Sequence, residues 1–413
     1  MSPGRLSLQT PDGSVTIPPP DGGVADGGGA AGDHRGIGGL AAAVALRRVG
    51  IEPVVFERAP EIREVGAGLS LWSSAVKALR RLGVEPSVAA AGSAIESAVT
   101  VTHRGRVIDE LSMAELGRRC GAPSLCAHRA DLQRALAEAA GGDRLHTGAE
   151  CVSVREGPDG VAAVFADGRS AAGDILVGAD GIRSAVRREL LGLPETRYAG
   201  YTCWRGIARG ASHLLPPGRT VFAVGRGSQV GLFHCGPERL DWFATRNAPA
   251  GAAESPAGRK AEVLAAFAGW CDPVPAVIEA TAEADILRGD ILDRPPTDVW
   301  GRGRVTLLGD AVHATTPNLG QGACQALEDA VVLADRLREV ADPVAALRAY
   351  EDDRRARTAK VIDESWRMGS ILQWSNPLLV AIRNFLMGTG YGRRQGLRLF
   401  EELLGYDPPE LPG

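Results

Sequence analysis

Residues 303–330 read GRVTLLGDAVHATTPNLGQGACQALEDA, and this stretch decides the fold of the 413-residue chain. Residues 304–309 are mostly apolar and predict a buried strand. The glycine, proline and asparagine that follow are typical of a turn. A long helix is predicted from about residue 321 to 340. The stretch therefore indicates a strand, a loop and a helix, the unit from which α/β proteins are built.

A second unit of this kind lies at residues 173–187, which read GDILVGADGIRSAVR. A buried strand ends there in an Asp-Gly turn at Asp180, and a basic helix start follows. Taken locally, Asp180 is a helix cap and Arg187 a surface charge. Contact of the two residues with a cofactor is the alternative, and only a family resemblance implies it.

A third unit begins with a glycine turn at Gly36, continues through a helix at residues 41–49 and ends in a strand at Glu57. A dinucleotide-binding turn needs three glycines: for the strand exit, for the approach of a pyrophosphate and for helix packing. Gly36 and Gly39 occupy the second and third positions. Glu57 lies 21 residues after Gly36 (57 − 36), which suits a carboxylate that binds a ribose diol.

The residues before this turn depart from the pattern. His34 stands at the first glycine position, and residues 27–33 are too rich in glycine for a buried parallel strand. Residues 1–33 are predicted to form an irregular or disordered tail. One alternative is a glycine-rich loop before a surface helix. Another is that these N-terminal residues do not belong to the natural reading frame.

The composition excludes several classes of protein. The chain has 46 lysines and arginines against 50 aspartates and glutamates, and its net charge of −4 argues against a nucleic-acid partner. No apolar stretch is long enough to cross a bilayer, and the N-terminus lacks a signal-peptide pattern. The seven cysteines include no C-x-x-C pair, which predicts neither disulfides nor a zinc site and favours the cytoplasm.

The remaining pattern mixes strands and helices. Residues 161–165 and 174–178 read as a pair of strands, and residues 200–246 as several strands separated by turns. A helical region begins near residue 259, and helices continue to about residue 404. This order predicts an α/β architecture with a second, sheet-bearing domain inserted into the first.

Taken together, the three motifs resemble the group A flavoprotein monooxygenases, the para-hydroxybenzoate hydroxylase superfamily. They occur in the family's order from about residue 36 to about residue 360. Residues 198–206 and 320–324 look most like the branch that holds the zeaxanthin epoxidases, the FAD-dependent urate hydroxylases and the salicylate hydroxylases. The resemblance implies a Rossmann-like, glutathione-reductase-type FAD-binding domain with an inserted β-sheet substrate domain and C-terminal helices. The predicted boundaries are 1–33 for the tail, 34–110, 111–190 and 291–345 for three parts of the FAD-binding domain, 191–290 for the substrate sheet domain and 346–413 for the C-terminal helices.

The resemblance also implies contacts with FAD. Asp310 would hold the ribityl hydroxyls, although a turn aspartate is the alternative, and residues 320–323 would lie beside the pyrimidine ring at a helix N-terminus that stabilises negative charge on reduced flavin. Pro317, a candidate catalytic residue, would fix the loop edge where the flavin C4a-hydroperoxide forms. Arg129 would approach the FAD phosphates unless it is a solvated residue at a helix start. The full set of candidate cofactor-binding residues is Gly36, Gly38, Gly39, Glu57, Arg58, Gly68, Ser70, Arg129, Cys151, Asp180, Asp310, Gly320, Gln321, Gly322 and Ala323.

Two further expectations follow from the motifs. His34 and the missing apolar strand predict weak retention of FAD if the N-terminal residues are as written. His313, inside the third motif, is expected to be structural rather than a metal ligand, and no metal site is predicted.

The substrate side is predicted from strand alternation and from the resemblance. The strand at residues 228–235 alternates, so one face is shared by Gln229, Gly231, Phe233 and Cys235. By analogy with the urate hydroxylase branch, the polar substrate contacts fall at Cys203, Gln229 and Asp241. That branch has asparagine, arginine and tyrosine there, so neither urate nor an anionic substrate is favoured. Asp241 is either a base that deprotonates a phenol, and so a second catalytic candidate, or a turn residue between strands. Phe233 is expected in the core or the pocket wall.

The implied reaction uses NAD(P)H to reduce FAD and O2 to hydroxylate an aromatic or polyketide-like small molecule. The alternatives are an epoxidase of an isoprenoid or polyene, and a catalytically impaired FAD-binding relative. A flavin halogenase is not favoured, because the chain has no W-x-W-x-I-P segment. A monomer or homodimer is expected. The apolar helices after residue 360 either pack on the body, cover the active site or make weak contact with a membrane.

Overall fold

The computed structural model describes residues 36–60, 67–141, 144–158, 160–192 and 196–412. The predicted tail at residues 1–33 and the first glycine position at His34 lie outside these ranges. The helices within them are α1 (Ile37–Arg48), α2 (Ser73–Leu82), α3 (Glu85–Ala91), α4 (Met113–Cys120), α5 (Arg129–Ala140), α6 (Ala185–Leu191), α7 (Arg259–Ala266), α8 (Val274–Glu279), α9 (Asp310–His313), α10 (Gly322–Glu339), α11 (Pro343–Leu372), α12 (Pro377–Gly388) and α13 (Gly390–Leu404). The strands are β1 (Val55–Glu57), β2 (Gly68–Leu71), β3 (Ser93–Ile95), β4 (Ser97–Thr102), β5 (Val107–Ser112), β6 (Ser124–His128), β7 (Leu145–Thr147), β8 (Cys151–Glu156), β9 (Val161–Phe165), β10 (Ser170–Gly173), β11 (Leu176–Gly178), β12 (Arg197–Arg209), β13 (Arg219–Val224), β14 (Ser228–His234), β15 (Arg239–Asn247), β16 (Leu287–Asp293), β17 (Gly301–Arg302) and β18 (Val305–Leu307).

Two parallel strand pairs confirm the α/β core, since β1 lies beside β7 and β11 lies beside β18. The predicted strand, loop and long helix of residues 303–330 are present as β18, the loop containing α9, and α10. Helix α1 packs closely here, because a Cβ at Gly38 would come within 2.7 Å of Leu308. A Cβ at Gly39 would meet Ala179 at an ordinary 3.6 Å. Helix α1 therefore makes its closest approach at Gly38, whereas the predicted packing position Gly39 lies in ordinary contact with Ala179.

An open position separates the two parallel pairs. Among the described residues, no strand pairs with the second edge of β1 or of β11. A cavity of about 690 Å³ lies between the two strands, and Gly36 lines it. The apolar part of the lining comes from α1, β1, β9 and β11 and includes Ala42, Ala43, Val55, Phe56, Val161 and Val177. An extended apolar segment that entered directly before Gly36 would complete the parallel sheet.

A seven-stranded sheet forms the second half of the molecule, in the order β16-β12-β15-β14-β13-β4-β5. Its four central strands confirm the strands expected over residues 200–246. Strands β4 and β5 join it from the stretch assigned to the first part of the FAD-binding domain, so the sheet draws on both halves of the chain.

The predicted pair of strands at residues 161–165 and 174–178 is wrong. Strand β9 pairs with β8 and β10, because the chain turns back at Gly168, which has a positive φ of 86°. The apolar run of β11 pairs instead with β18 in the parallel sheet.

The C-terminal helices continue to Leu404, as predicted. The 30-residue helix α11 packs against β18, where Tyr350 donates a hydrogen bond to the carbonyl of Leu307 at 3.1 Å and Thr306 donates to Glu351 at 2.6 Å. Among the helices described above, none is both long enough and apolar enough to cross a membrane.

The open position beside Gly36 gives a first testable prediction. Replacing residues 29–33 by five valines and isoleucines should raise the free energy of unfolding by about 2 kcal/mol or more, because each such side chain that becomes buried contributes about 1.5–3 kcal/mol. The affinity for FAD should rise with it, since the strand would fix the turn at Gly36. Urea unfolding and FAD titration measure the two effects.

The matched control replaces the same residues by glycine and serine, which preserves the length and removes the apolar surface. Equal stability and equal FAD affinity in the two variants would show that no strand enters this position.

Candidate active site

A buried network of charged residues holds the loop that follows β18. Asp329 on α10 accepts a hydrogen bond from the backbone N–H of Gly309 at 3.0 Å, and its carboxylate lies 2.5 Å from His313 Nε2 and 2.7 Å from Arg354 Nε. Burial works to raise the pKa of Asp329, but His313 and Arg354 outweigh it and hold this pKa at about 2. His313 is thus part of the framework, in agreement with the structural role expected from the sequence.

The next residues of the loop are fixed from three sides. Ser365 on α11 donates a hydrogen bond to the carbonyl of Thr316 at 2.6 Å, and the hydroxyl of Tyr201 donates to the Asn318 side chain at 2.7 Å. The indole of Trp72 donates to the carbonyl of Leu319 at 2.8 Å. Pro317 begins the 3₁₀ turn between these contacts and lines the pocket described below. The sequence predicted this loop edge, and its supports come from residues distant in the chain.

The N-terminal end of α10 opens into the same pocket. Gly320 has a φ of 61°, and a Cβ there would lie 3.0 Å from Trp72 Nε1, so the backbone at this position requires glycine. Gly322 and Ala323 line the pocket. Among the described residues, no side chain caps this helix, and its first turn holds no acidic residue. The backbone N–H groups of this turn can therefore donate to an electron-rich ligand.

The side chain of Gln321, unlike Gly322 and Ala323, lies away from the pocket. It is fully buried, accepts a hydrogen bond from Gln325 Nε2 at 3.0 Å and does not line the pocket. Only the backbone of Gln321 can therefore take part in the predicted cofactor contact.

Asp310 and strand β2 complete this side of the pocket. Asp310 begins α9 and lines the pocket together with Gly68 and Ser70 of β2. The carbonyl of Ser70 accepts a contact from the Cys324 thiol at 3.5 Å, which joins β2 to the start of α10. These three candidates, distant in sequence, are brought together as predicted.

Gly36 and Glu57 line the larger cavity, the one of about 690 Å³ beside β1 and β11, and not the pocket at Asp310. Gly36 has a φ of 77°, and a Cβ there would lie 3.6 Å from a carboxylate oxygen of Glu57. Among the described residues, α1 has neither a side-chain cap nor an acidic residue in its first turn, as at α10. The same cavity is lined by Gly39, Arg58, Cys151 and Asp180. Burial raises the pKa of the Cys151 thiol to about 11, so this residue is a neutral wall.

Asp180 is a helix cap, which confirms one of its two interpretations. One of its oxygens accepts from Ser184 at 2.5 Å and the other from the N–H of Ala185 at 2.7 Å. Both carboxylate oxygens of Asp180 thus already accept hydrogen bonds from the protein. Arg187 is buried and not a surface charge, because it points to the carbonyls of α9, with Nη1 3.4 Å from Ala311 O.

Two arginines lie next to the site, and the sequence predicted only one of them. Arg129 begins α5, as predicted, and is half-buried, so it is not a freely solvated residue; its backbone N–H donates to Ala67 at 3.3 Å. Arg294 was not predicted. It is buried, its side chain donates to the carbonyl of Ile182, and its charge acts on Asp310. Burial and the nearby Arg187 lower the pKa of Arg294 to about 10. An arginine before two prolines gives no pattern that marks it.

One face of the seven-stranded sheet forms the opposite wall of the pocket, which has a volume of about 280 Å³. Residues that pair across neighbouring strands lie on the same face. Phe243 stands opposite both Arg205 and Gly231, and a Cβ at Gly231 would lie 2.2 Å from the Phe243 ring. The ring therefore lies across Gly231, and the glycine makes room for it. The face of β14 that strand alternation predicted lines the pocket through Gln229 and Phe233. Asp241 on the neighbouring β15 and Cys203 on β12 line the same pocket.

Asp241 lies within β15 and not between strands, so the interpretation as a turn residue is wrong. It is buried, lines the pocket, and accepts a hydrogen bond from the backbone N–H of Gly68 at 2.7 Å. A Cβ at Gly68 would lie 2.6 Å from Asp241 Cβ, so this approach requires glycine. Burial raises the pKa of Asp241 to about 6, although the Gly68 N–H and Arg205 act in the opposite direction.

Arg205 brings a cation into the pocket that sequence reasoning did not find. It is half-buried on β12, two residues after Cys203, and both lie on the pocket face. The alternation from Cys203 could have identified it. Burial works against its charge, but Cys203 and Asp241 favour it and raise the pKa of Arg205. Gln229 adds a buried Oε1 that has no hydrogen-bond partner among the described residues.

The two cavities together fit an elongated cofactor such as FAD. Both are bordered by Ile182. The polar edge of the larger one, at Gly36, has an uncapped helix N-terminus beside Glu57, which suits a pyrophosphate and a ribose, whereas the apolar part is the space that a strand before Gly36 would fill. The smaller one has a second uncapped helix N-terminus beside Asp310, which suits the electron-rich edge of a flavin and its ribityl hydroxyls. Among the described residues, no cluster of side chains could hold a metal ion.

Comparison with known proteins agrees with this geometry. The family model described as "FAD binding domain" matches residues 35–204 and 285–365. The aurachin C monooxygenase/isomerase of Stigmatella aurantiaca is 45% identical over 352 residues, which cover 85% of this chain and 91% of that protein. The FAD-dependent urate hydroxylase of Klebsiella pneumoniae is 40% identical over 329 residues, or 79% of this chain and 86% of that protein.

A solved structure extends the comparison to the whole fold. The crystal structure of Klebsiella pneumoniae HpxO complexed with FAD and uric acid superimposes with a TM-score of 0.84 at 35% identity, covering 89% of this chain and 94% of that one.

The chloroplastic zeaxanthin epoxidase of Solanum lycopersicum is 43% identical over 255 residues, or 59% of this chain and 38% of that protein.

The Asp329 network gives a second prediction. Asp329→Asn should lower the free energy of unfolding at neutral pH by about 3–5 kcal/mol, because Arg354 and Arg357 would then share the single buried carboxylate of Glu328, which leaves one buried positive charge uncompensated. The low pKa of Asp329 also fixes the sign of the pH effect. Its stabilisation is present above its unfolded pKa of about 3.9 and is lost as the pH falls towards 2.

Urea unfolding of both proteins between neutral and acid pH measures these effects. The control is Asp353→Asn, which removes an acid on α11 whose ion pair with Arg336 is partly exposed, and it should cost no more than about 1 kcal/mol. Similar losses in the two variants would contradict the role of Asp329.

Proposed function

Because this chain belongs to the FAD binding domain family and is an FAD-dependent monooxygenase of group A, we propose that it hydroxylates an apolar aromatic small molecule with O2 and NAD(P)H. The observation that carries the proposal is a single pocket lined on one side by Asp310, Pro317 and the N-terminus of α10, and on the other by Asp241. Bound FAD supplies the redox chemistry and the activation of oxygen. The protein binds, orients and excludes water.

The proposed cofactor contacts follow the two cavities. Gly36 and Glu57 would hold the adenosine and pyrophosphate end, with Arg58 and Arg129 as nearby cations. Asp310 would bind the ribityl chain. The backbone of residues 320–323 would donate to the flavin ring, and their N–H groups stabilise negative charge on the reduced ring.

The proposed substrate is apolar and aromatic because of the pocket wall. The three rings of Phe222, Phe233 and Phe243 lie within 6.4 Å of one another, measured between ring centroids. Met368, Leu372 and Met387 extend this apolar lining on the side of the C-terminal helices. A purine such as uric acid would leave several of its polar groups unpaired against such a wall, at a cost of about 1–3 kcal/mol for each.

The polar end of the pocket supports deprotonation of a phenol-like group. Asp241 has a pKa of about 6, so its carboxylate is available as a base at neutral pH. Arg205 would stabilise the oxyanion that forms. Gln229 would accept a hydrogen bond from the substrate through its unpaired Oε1. An ionised ring is a better nucleophile towards the transferred oxygen.

Epoxidation of a polyene is the second candidate, because the zeaxanthin epoxidase relative and the apolar lining both allow it. A double bond has no proton to lose. A requirement for Asp241 therefore separates the two reactions.

A third prediction tests the cofactor and the substrate class. The purified protein should bind FAD with flavin absorbance, and Gly320→Val should abolish this binding, because a branched side chain would meet Trp72 at a positive φ. NADH and NADPH oxidation should be stimulated by aurachin C or simple phenols more than by uric acid or a polyene, with a hydroxylated product seen by mass spectrometry. A protein that stays colourless with added FAD would overturn the assignment.

A fourth prediction tests the base. Asp241→Asn should lower kcat/KM on a phenol by about 10²–10⁴-fold and remove the limb of the pH profile in which activity is lost below pH 6. The asparagine can still accept from Gly68, so the fold should persist. The control is Cys203→Ser on the same wall, which should keep the limb in place even if it alters the rate. A pH profile that Asp241→Asn leaves unchanged would rule out the base.

A further inference from the structure

Helix α12 presents an unusual surface to solvent. Nine large apolar side chains are exposed among the described residues, and five of them lie on this 12-residue helix. The five share one face, because their spacing follows the helical period: Leu378, Leu379, Ile382, Phe385 and Leu386. Phe385 is 72% exposed and Leu378 is 68% exposed. Isolated exposed apolar residues are ordinary, but a contiguous stripe marks an interaction surface.

The opposite face fixes this helix on the protein. Arg383 is buried and donates to the carbonyls of Leu372 at 2.8 Å and Gly225 at 2.9 Å. The side chain of Asn376 accepts from the N–H of Leu378 at 2.9 Å and caps the helix. Met387 lines the pocket. The exposed stripe is thus held in place and not a frayed end.

The surroundings of the stripe are cationic. Residues 376–400 contain no aspartate or glutamate, and Arg394 and Arg398 are exposed on α13. Arg393 is also exposed and pairs with Asp109 at 2.8 Å, which cancels a nearby acid. Near the other end of α12, Arg226 lies 3.3 Å from the carbonyl of Ser375.

A second arginine, Arg104, stands near this end, because the backbone N–H of the preceding His103 donates to the carbonyl of Val224, two residues before Arg226, at 2.9 Å. Burial, followed by the charges of Arg104 and Arg226, lowers the pKa of His103. Both arginines are exposed. Cations therefore stand at each end of the apolar stripe.

We propose that the exposed face of α12 docks onto an anionic lipid surface. The apolar side chains would enter the boundary between headgroups and acyl chains, and the arginines would bind the headgroups. Tyr391, 65% exposed at the start of α13, has the amphipathic ring that favours this depth. A second copy of the chain is a poorer occupant, because it would bring the same arginines into the contact.

The docking would place the pocket next to the lipid. Met387 borders the pocket from the same helix whose outer face carries Phe385, so an apolar substrate dissolved in the membrane would reach the site over a short path. This consequence rests on the proposed function, whereas the docking itself does not.

Co-sedimentation of the FAD-loaded protein with lipid vesicles tests the proposal. Vesicles of phosphatidylcholine with phosphatidylglycerol in equal parts should bind the protein more tightly than phosphatidylcholine alone, and high salt should remove the difference. The double variant Leu378→Ser, Phe385→Ser should bind these vesicles at least about tenfold more weakly. Arg394→Gln and Arg398→Gln should each weaken binding to the anionic vesicles on the order of fivefold.

Matched controls are Val299→Ser and Arg302→Gln, which remove an exposed apolar and an exposed basic side chain elsewhere and should bind as the unchanged protein does. Flavin absorbance of every variant reports the integrity of the site separately, so a failure of FAD binding is distinguishable from a failure of docking. The proposal is overturned if the unchanged protein ignores anionic vesicles or if the double variant binds them equally well. It is also overturned if light scattering shows a dimer that the double variant converts to monomers, because the stripe would then be covered by a second copy.

Discussion

One buried carboxylate, that of Asp329, organises the centre of this protein. It binds the N–H of Gly309, the ring of His313 and the guanidinium of Arg354, and so connects the turn after β18 to α10 and α11. All three partners are needed, because an ionised carboxylate removed from water is tolerated only when it is paired and hydrogen-bonded. The position of Asp310 and the course of the loop to Gly320 depend on this anchor. The site is therefore built on a rigid support.

The register of the seven-stranded sheet decides the chemistry of the opposite wall. Pairing of β12, β14 and β15 sets Cys203 and Gln229 each opposite Thr245, and Phe233 opposite Asp241. A shift of one residue in any strand would turn its contribution away from the pocket. The contact between Asp241 and the Gly68 N–H then joins this wall to β2. A single carboxylate thus links the two halves of the molecule and lines the pocket.

The two cavities and α12 are neighbours in the molecule. The larger cavity lies among α1, β1 and β11, the smaller one lies between α10 and the sheet, and Met387 of α12 borders the smaller one. The same helix faces the pocket through Met387 and solvent through Phe385. The larger cavity, the smaller pocket and an apolar exterior thus follow one another through the molecule.

The sequence by itself determined the fold class and the local positions of most candidate cofactor-binding residues, because strand, turn and helix starts are local patterns. The stretch at residues 303–330 folds as its periodicity predicts, and Asp310 and Gly320 lie where the motif puts them. Only the tertiary structure decided that α1 makes its closest approach at Gly38, since the distance to Leu308 follows from no local pattern. The same holds for Arg205 and Arg294, whose burial comes from strands and loops distant in the chain. It holds also for Asp241, whose pKa is raised by burial and partly lowered again by the N–H of Gly68, 173 residues away. Local sequence encodes backbone conformation, whereas desolvation, long-range pairing and cavity shape exist only once the chain has folded.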